Sequence, residues 1–233
     1  MLIIKRILDV FFSIFFIVIT LPIMAAAALG VKMSSPGPVI YSSERAGKNG
    51  KRFILHKFRT MHVEQGGNRS RVTGAADDRI FSFGAFMRST KIDELPQFFD
   101  VLRGHMSIVG PRPEDPEILE KRYKDWHMET LKVKPGLTGP GSLHYYTHME
   151  RLLVGDDIES LYAEKLLDVK LALDIVYIRN STIFYDIRLI FRTVIVVFGK
   201  MFGRSRFKLP PEVKEASALN LVENERLFHG CIE

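Results

Sequence analysis

Asp93 and Glu94 are adjacent carboxylates in a stretch, Arg88 to Pro113, that also carries Arg88, Arg103 and Arg112. Two carboxylates alone would repel an anion. Guanidinium forks offset that repulsion and grip phosphate at two points, and Arg112 is held on a rigid corner between Pro111 and Pro113. A hard divalent cation completes the set, because Mg²⁺ prefers one or two carboxylates together with substrate phosphates. These residue types point to an anionic, phosphorylated substrate.

The elements that must position them can be read locally. LPQFFDVLRG has the marks of a short helix: Pro96 is tolerated in the first turn, Leu95, Phe98, Phe99 and Leu102 form an apolar stripe, and Gly104 ends it. Asp93 and Glu94 then sit at or near a helix N-terminus, where a carboxylate stays ionised and an anion can approach. Neighbours on a helix point about 100° apart, so the two carboxylates have different tasks. Taken alone, an Asp ahead of a helix is more often a cap, and a Glu beside it a favourable first-turn charge.

Upstream, Ser34 to Met61 contains a Pro36-Gly37-Pro38 turn, a VIYS strand, a KNGK tip and an RFILHKF strand, which together predict a β-hairpin. Lys57 and Arg59 close that hairpin and point to opposite faces of a strand, so one of the two is expected to face a site. Residues 62–78 lack periodicity and contain Gly66, Gly67 and Gly74, so a mobile loop is expected there. Downstream, helices are predicted from Pro116 and over Asp156 to Arg179. His144 and His148 have a metal-ligand spacing if helical, but no HExxH-like third ligand accompanies them, so lining a pocket or facing solvent is preferred to zinc.

The chain has 233 residues, 46% of them apolar, enough for one sizeable core, and a net charge of +6 that suits an anionic membrane surface. The basic residues are scattered among apolar segments and no nucleic-acid motif is present, so no nucleic-acid partner is expected. Cys231 is the single cysteine, which excludes an intrachain disulfide and permits a reducing compartment. Val10 to Val31 carries no formal charge and is long enough to cross a bilayer core. Yet Lys5 and Arg6 precede it and Lys32 and Arg45 follow it, and positive charge marks the cytoplasmic side at both ends. Pro22 lies near its middle, where it removes a helix hydrogen bond. The economical solution enters from one face, breaks at Pro22 with Ser13 or Thr20 helping to satisfy freed carbonyls, and returns, with Lys5, Arg6 and Pro22 as anchoring residues. A second apolar helix after Asn180 carries Arg188, Arg192, Lys200 and Arg204, a pattern suited to a membrane interface. The tail from Ser205 is mixed and charged, with disorder or partner binding expected.

IDELPQFFDVLRGHMSIVGPRP closely resembles the signature of the bacterial sugar transferases, the monotopic phosphoglycosyl transferases. The likeness continues in SPGPV, in Lys57-Phe58-Arg59-Thr60, in DDRIFSFGAFMRS, in LKVKPGLTG and at Lys170, Leu171 and Asp174, so it covers roughly Lys5 to Lys200. The chain departs from the pattern at Ser43, where the family usually has Gln, and at Pro140-Gly141-Ser142, where it has a Trp-Ala-Gln pattern.

The resemblance implies an α+β, mostly helical, monotopic membrane protein with an N-terminal re-entrant helix-break-helix (1–33), a catalytic domain with a small β-hairpin and interfacial amphipathic helices (34–203), and a tail (204–233). It implies transfer of a phospho-sugar from a UDP-sugar to polyprenol phosphate at the cytoplasmic face of a bacterial inner membrane, with release of UMP. Asp93 is expected as a covalent nucleophile and Glu94 as its partner, both near Mg²⁺, with Lys57, Arg59, Arg88 and Arg112 on the phosphates. The loop over 62–78 would fold over the nucleotide sugar or vary in length, and a homodimer is compatible with all of this. Two other classes are compatible with the same residues: a transferase that moves the sugar alone and releases UDP, and a non-catalytic basic membrane protein.

Overall fold

A computed structural model of the chain describes residues 2–63, 77–153 and 158–230. In chain order its elements are α1 (Leu2–Ser34), β1 (Ile40–Ala46), β2 (Arg52–Phe58), α2 (Ser82–Thr90), α3 (Gln97–Arg103), β3 (Ser107–Val109), α4 (Pro116–Arg122), β4 (Gly136–Thr138), α5 (Pro140–His144), α6 (Ile158–Leu161), α7 (Leu167–Asn180), α8 (Ile183–Met201) and α9 (Glu212–Ala218). Helix dominates, with two small sheets: the antiparallel hairpin β1–β2 and a parallel pair β3–β4 registered Ser107 to Gly136 and Val109 to Thr138.

The central element is α7. Every residue from Leu167 to Tyr177 is buried, including Asp168, Lys170 and Asp174. Such a helix has no solvent face, so each charged side chain must find a partner inside the protein. Asp168 accepts from Lys124 at 2.6 Å and lies 3.0 Å from His127. Lys170 is held by Glu114, and one oxygen of Asp174 accepts the Gly141 N–H at 3.0 Å. Only glycine fits at 141, because a Cβ there would lie 2.3 Å from the Lys170 carbonyl.

α1 is apolar enough and long enough to cross a membrane, and it is one unbroken helix with Pro22 inside it, in place of the expected break. One face packs against the body along the helix. Asp9 accepts from Ser107 Oγ and from the Ile108 N–H, both at 3.0 Å, Phe16 stacks on Phe98, and Ala27 and Val31 join Phe58, Phe81 and Met87 in a small core. These contacts on both sides of Pro22 hold the axis across the missing hydrogen bond. Thr20 Oγ1 donates to the Phe16 carbonyl, and Ser13 Oγ is buried without a partner. The opposite face stays exposed, with Ile3, Ile7, Phe11, Val18 and Leu29 among its residues.

Two of the expected anchors turn inward. Lys5 Nζ donates to Asp186 at 2.5 Å and to Tyr177 at 3.2 Å, and the Arg6 guanidinium donates to the Val101 and Leu102 carbonyls at the end of α3, at 2.6 and 2.8 Å. Unfilled carbonyls at a helix C-terminus and a buried-edge carboxylate attract these cations more strongly than their sequence position suggests. Pro22 itself is exposed.

The described tail is ordered against the body. Val213, Ala216, Val222, Leu227 and Phe228 pack into the α7 core, and buried Glu212 takes both Arg192 nitrogens at 2.9 and 3.0 Å. Its apolar residues are spaced among charges, which is why it reads as mixed in sequence. The expected mobile segment lies mostly outside the described residues.

Candidate active site

Three local structures bring the carboxylates into place. α2 ends in Lys91, whose left-handed backbone (φ 58°) reverses the chain into a single 3₁₀ turn over Ile92–Glu94. Leu95 and Pro96 continue helically into α3, which stops at Gly104 (φ 85°) as its sequence predicts. β2 is pinned to α3, because the fully buried Asp100 accepts from the His56 N–H at 2.9 Å and contacts its ring Nδ1 at 2.7 Å. Lys57 is thereby held on the same side as Asp93, and both line one cavity of about 430 Å³.

Asp93 and Glu94 have distinct surroundings. Asp93 is buried, and its Oδ1 has no hydrogen-bond partner among the described residues. Burial and the Glu94 charge push its carboxyl up, against the attraction of Lys91, Lys57 and Arg88. This reverses the ionising influence that a helix N-terminus was expected to exert. Glu94 is bound by Arg112 through two bonds, at 2.7 and 3.0 Å. Burial alone would raise its carboxyl, but the Arg112 and Lys91 charges outweigh burial and hold it at about 2. Lys57 is half-buried with its ammonium 5.3 Å from the Tyr41 ring centre, and burial lowers it to about 8 despite Asp93 nearby.

By chemistry the lining falls into three groups. Lys57, Arg88, Lys91, Asp93, Glu94 and Arg112 are charged. Phe16, Phe98, Ile190, Val194, Val197 and Phe198, from α1, α3 and α8, are apolar. Arg45, Glu114, Asp115, Ser142, Tyr145, Tyr162 and Lys170 are polar with balanced charge. A single space thus presents cations for phosphate, apolar walls and neutral hydrogen-bonding groups.

Arg59 is not among the lining residues. β2 ends at Phe58, and the Arg59 guanidinium turns back to the end of α1, donating to the Ser35 carbonyl and hydroxyl, the Pro38 carbonyl and the Met61 carbonyl at 2.6 to 3.1 Å. With these bonds in place it clamps the end of α1 and points away from the cavity that holds Asp93. Arg88 has no hydrogen-bond partner among the described residues, while Arg112 is engaged by Glu94.

Several lining residues were not singled out from sequence. Lys91 Nζ lies 3.6 Å from Glu94 and 4.4 Å from the Tyr146 ring centre, so a residue next to the dyad in sequence is also part of its charge balance. Glu114, Tyr162 and Lys170 are far apart in the chain and meet only through the fold. His144 and His148 stack at 4.8 Å, with His144 buried, its ring nitrogens unpartnered and its imidazole held down at about 3 by burial. No group of three or more metal-ligating side chains is present among the described residues.

Comparison with known proteins places this arrangement. A profile described as bacterial sugar transferase matches residues 1–200. A UDP-glucose:undecaprenyl-phosphate glucose-1-phosphate transferase of Xanthomonas campestris pv. campestris is 38% identical over 182 residues, which is 77% of this chain and 35% of that protein. A UDP-N-acetylgalactosamine-undecaprenyl-phosphate N-acetylgalactosaminephosphotransferase of Aeromonas hydrophila is 32% identical over 82% of this chain and 43% of its own length. The exopolysaccharide production protein PSS of Rhizobium leguminosarum bv. phaseoli is 34% identical over 83% of this chain and 94% of its own length. The first two relatives are thus much longer than the region they share with this chain. With the profile covering most of its length and the Rhizobium protein matched almost end to end, the chain belongs to the bacterial sugar transferase family.

Proposed function

We propose that the chain transfers a phospho-sugar from a UDP-sugar to a polyprenol phosphate and releases UMP. The observation that carries this reading is the buried, unpartnered oxygen of Asp93, set among Lys57, Arg88 and Lys91 in a cavity that also has apolar walls. The relatives named for UDP-glucose, UDP-N-acetylgalactosamine and undecaprenyl phosphate support the same substrate classes.

Asp93 attacks the sugar-bearing phosphorus of the donor. A bond forms from the carboxylate oxygen to phosphorus, the bond from phosphorus to the bridging oxygen breaks, and UMP leaves with the electron pair. A polyprenol phosphate oxygen then attacks the same phosphorus, the bond to Asp93 breaks, and the carboxylate is restored. Two half-reactions through one carboxylate predict ping-pong kinetics. Lys57, Arg88 and Lys91 hold the donor phosphates, and Arg112 keeps Glu94 ionised and oriented. The residues fit a Mg²⁺ brought in with the diphosphate, since Asp93 Oδ1 is a free hard oxygen and Glu94 stays ionised beside it. When bound, such an ion neutralises charge on the departing phosphate.

In this reading α1 is seated in one face of the membrane with both of its ends on the same side, and the catalytic region lies on the cytoplasmic side of a bacterial inner membrane. Support comes from contacts of both halves of α1 with the same body, Lys5 to Asp186 near its start and Arg59 to Ser35 just past its end. The exposed apolar faces of α1 and α8, the latter with Phe184, Phe191, Ile195 and Phe198, fit an interfacial seat.

The test is nucleotide release by the protein in lipid with Mg²⁺, polyprenol phosphate and a panel of UDP-sugars. UMP that depends on lipid and is lost in Asp93→Asn is the expected result. UDP as the product, or normal turnover by Asp93→Asn, overturns the mechanism. For topology, cysteines at positions 3 and 40 are expected to label from the same side.

A further inference from the structure

Glu114, Tyr162 and Lys170 form a closed buried triangle on the cavity wall. Lys170 Nζ donates to Glu114 Oε2 at 2.6 Å and to Tyr162 Oη at 2.7 Å, and Tyr162 donates to the same Glu114 oxygen at 2.7 Å. All three are at most 8% exposed, yet all three line the cavity that holds Asp93. Burial alone would raise the Glu114 carboxyl. The Lys170 charge and the two donated bonds outweigh it and hold the group ionised.

The triangle is electrically neutral, and so is its neighbour pair Arg45 and Asp115, which lie 3.4 Å apart. This part of the wall therefore offers no net charge to a phosphate. It does offer unused hydrogen-bonding capacity. An ammonium has three protons and Lys170 uses two, while Glu114 Oε1 accepts nothing among the described residues. Ser142 also lines the cavity, and its buried Oγ lacks a partner. A spare ammonium proton, a second carboxylate oxygen and the buried Ser142 hydroxyl match a ligand that carries several hydroxyls and no charge.

Position narrows the ligand further. Glu114 follows Arg112 by two residues, roughly 7 Å of extended chain, and Arg112 is bonded to Glu94 of the dyad. A neutral ring next to the reacting phosphorus would reach this wall while its diphosphate stays among the cations.

We infer that Glu114, Tyr162, Lys170 and Ser142 form the subsite for the sugar ring of the donor and select among sugars by their hydroxyl pattern. This rests on the reading of the chain as a UDP-sugar enzyme. Here Glu114, Tyr162 and Ser142 touch the substrate and set specificity, and they take no part in bond breaking.

The experiment compares equilibrium binding of UDP and of UDP-sugars to the full chain in lipid, without turnover, for the wild type and for Tyr162→Phe, Glu114→Gln and Ser142→Ala. Loss of a hydrogen bond to a charged group predicts about tenfold weaker UDP-sugar binding for Tyr162→Phe and Glu114→Gln, with UDP binding changed by less than about twofold. Ser142→Ala leaves the triangle intact, so it stays folded even if the other two do not, and about threefold weaker binding of at least one UDP-sugar is expected. Equal weakening of UDP and UDP-sugars would assign this wall to the nucleotide and overturn the inference. Unchanged sugar binding in folded variants, or a wild type that binds UDP-sugars no better than UDP, also overturns it. A wild type that binds UDP-sugars better than UDP but releases no UMP would sink the proposed reaction and leave the subsite standing.

Discussion

Two acidic centres line the same cavity and are built in opposite ways. Around Glu114 every charge is closed into a triangle, and burial serves to hold a neutral unit rigid. Around Asp93 the balance is left incomplete: Glu94 and Arg112 satisfy each other, and Asp93 keeps an unpartnered buried oxygen. A buried carboxylate left without its hydrogen bonds is costly, and it persists where the fold over-determines it. The left-handed Lys91 and the tight turn over Ile92–Glu94 supply that constraint. The two centres therefore differ in charge balance: it is closed at Glu114, the proposed sugar contact, and left open at Asp93, the proposed nucleophile.

The sharpest way to break this comparison is Asp93→Asn. It is expected to cut turnover by roughly three orders of magnitude, measured as UMP release, with no loss of thermal stability. Stability holds because the Asp93 carboxyl is raised on folding, so at neutral pH its ionisation opposes the fold and a neutral amide does not. Lys170→Met should do the reverse. Leaving Glu114 buried without its cation is expected to cost about 3 kcal/mol of stability, measured by denaturant unfolding in detergent. If Lys170→Met were neutral and Asp93→Asn unfolded the protein, the contrast between the two centres would be mistaken.

Arg112→Lys tests the pair that separates the two carboxylates. A lysine cannot make the two-point contact, and a loss of about tenfold to a hundredfold in kcat/KM is expected. A smaller effect is expected from pH. Lys57 is lowered to about 8, so its charge is present below that value and fades above it. The KM for a UDP-sugar should rise several-fold between pH 7 and 9, and Lys57→Arg should move that limb upward. Smallest is Asp174→Asn. The carboxyl of Asp174 is raised by burial to about 7, so the folded state holds a proton that the unfolded chain releases near 4. That contribution is fully present below about pH 4 and is lost as pH rises through about 7, so Asp174→Asn should raise the Tm by roughly 4 °C at pH 8 and change it little at pH 4.

Local features were legible. The hairpin, the helix that ends at Gly104, the rigid corner at Arg112 and the long apolar N-terminal helix all follow from short-range sequence pattern. Lys57 and Arg59 are close in sequence, yet only Lys57 lines the cavity, because the strand ends between them and the Arg59 guanidinium finds four acceptors around Ser35. Lys5 and Arg6 read as membrane anchors from their place beside an apolar run, but Asp186 and the Val101 and Leu102 carbonyls are brought to them by the fold. The tail reads as loose because its apolar residues are few per window, and it is ordered because α7 and α8 present Arg192 and a surface for Phe228.

The adjacent carboxylates, the basic residues around them, the long apolar N-terminal helix and the family follow from residue type and short spacing. The tertiary structure alone decided which charges are free. Glu114 meets Tyr162 and Lys170 across 48 and 56 residues, Glu94 meets Arg112 across 18, and one oxygen of Asp93 meets no partner among the described residues. Partnership of a buried charge depends on contacts between distant segments and on the water they exclude, and neither is written in local pattern.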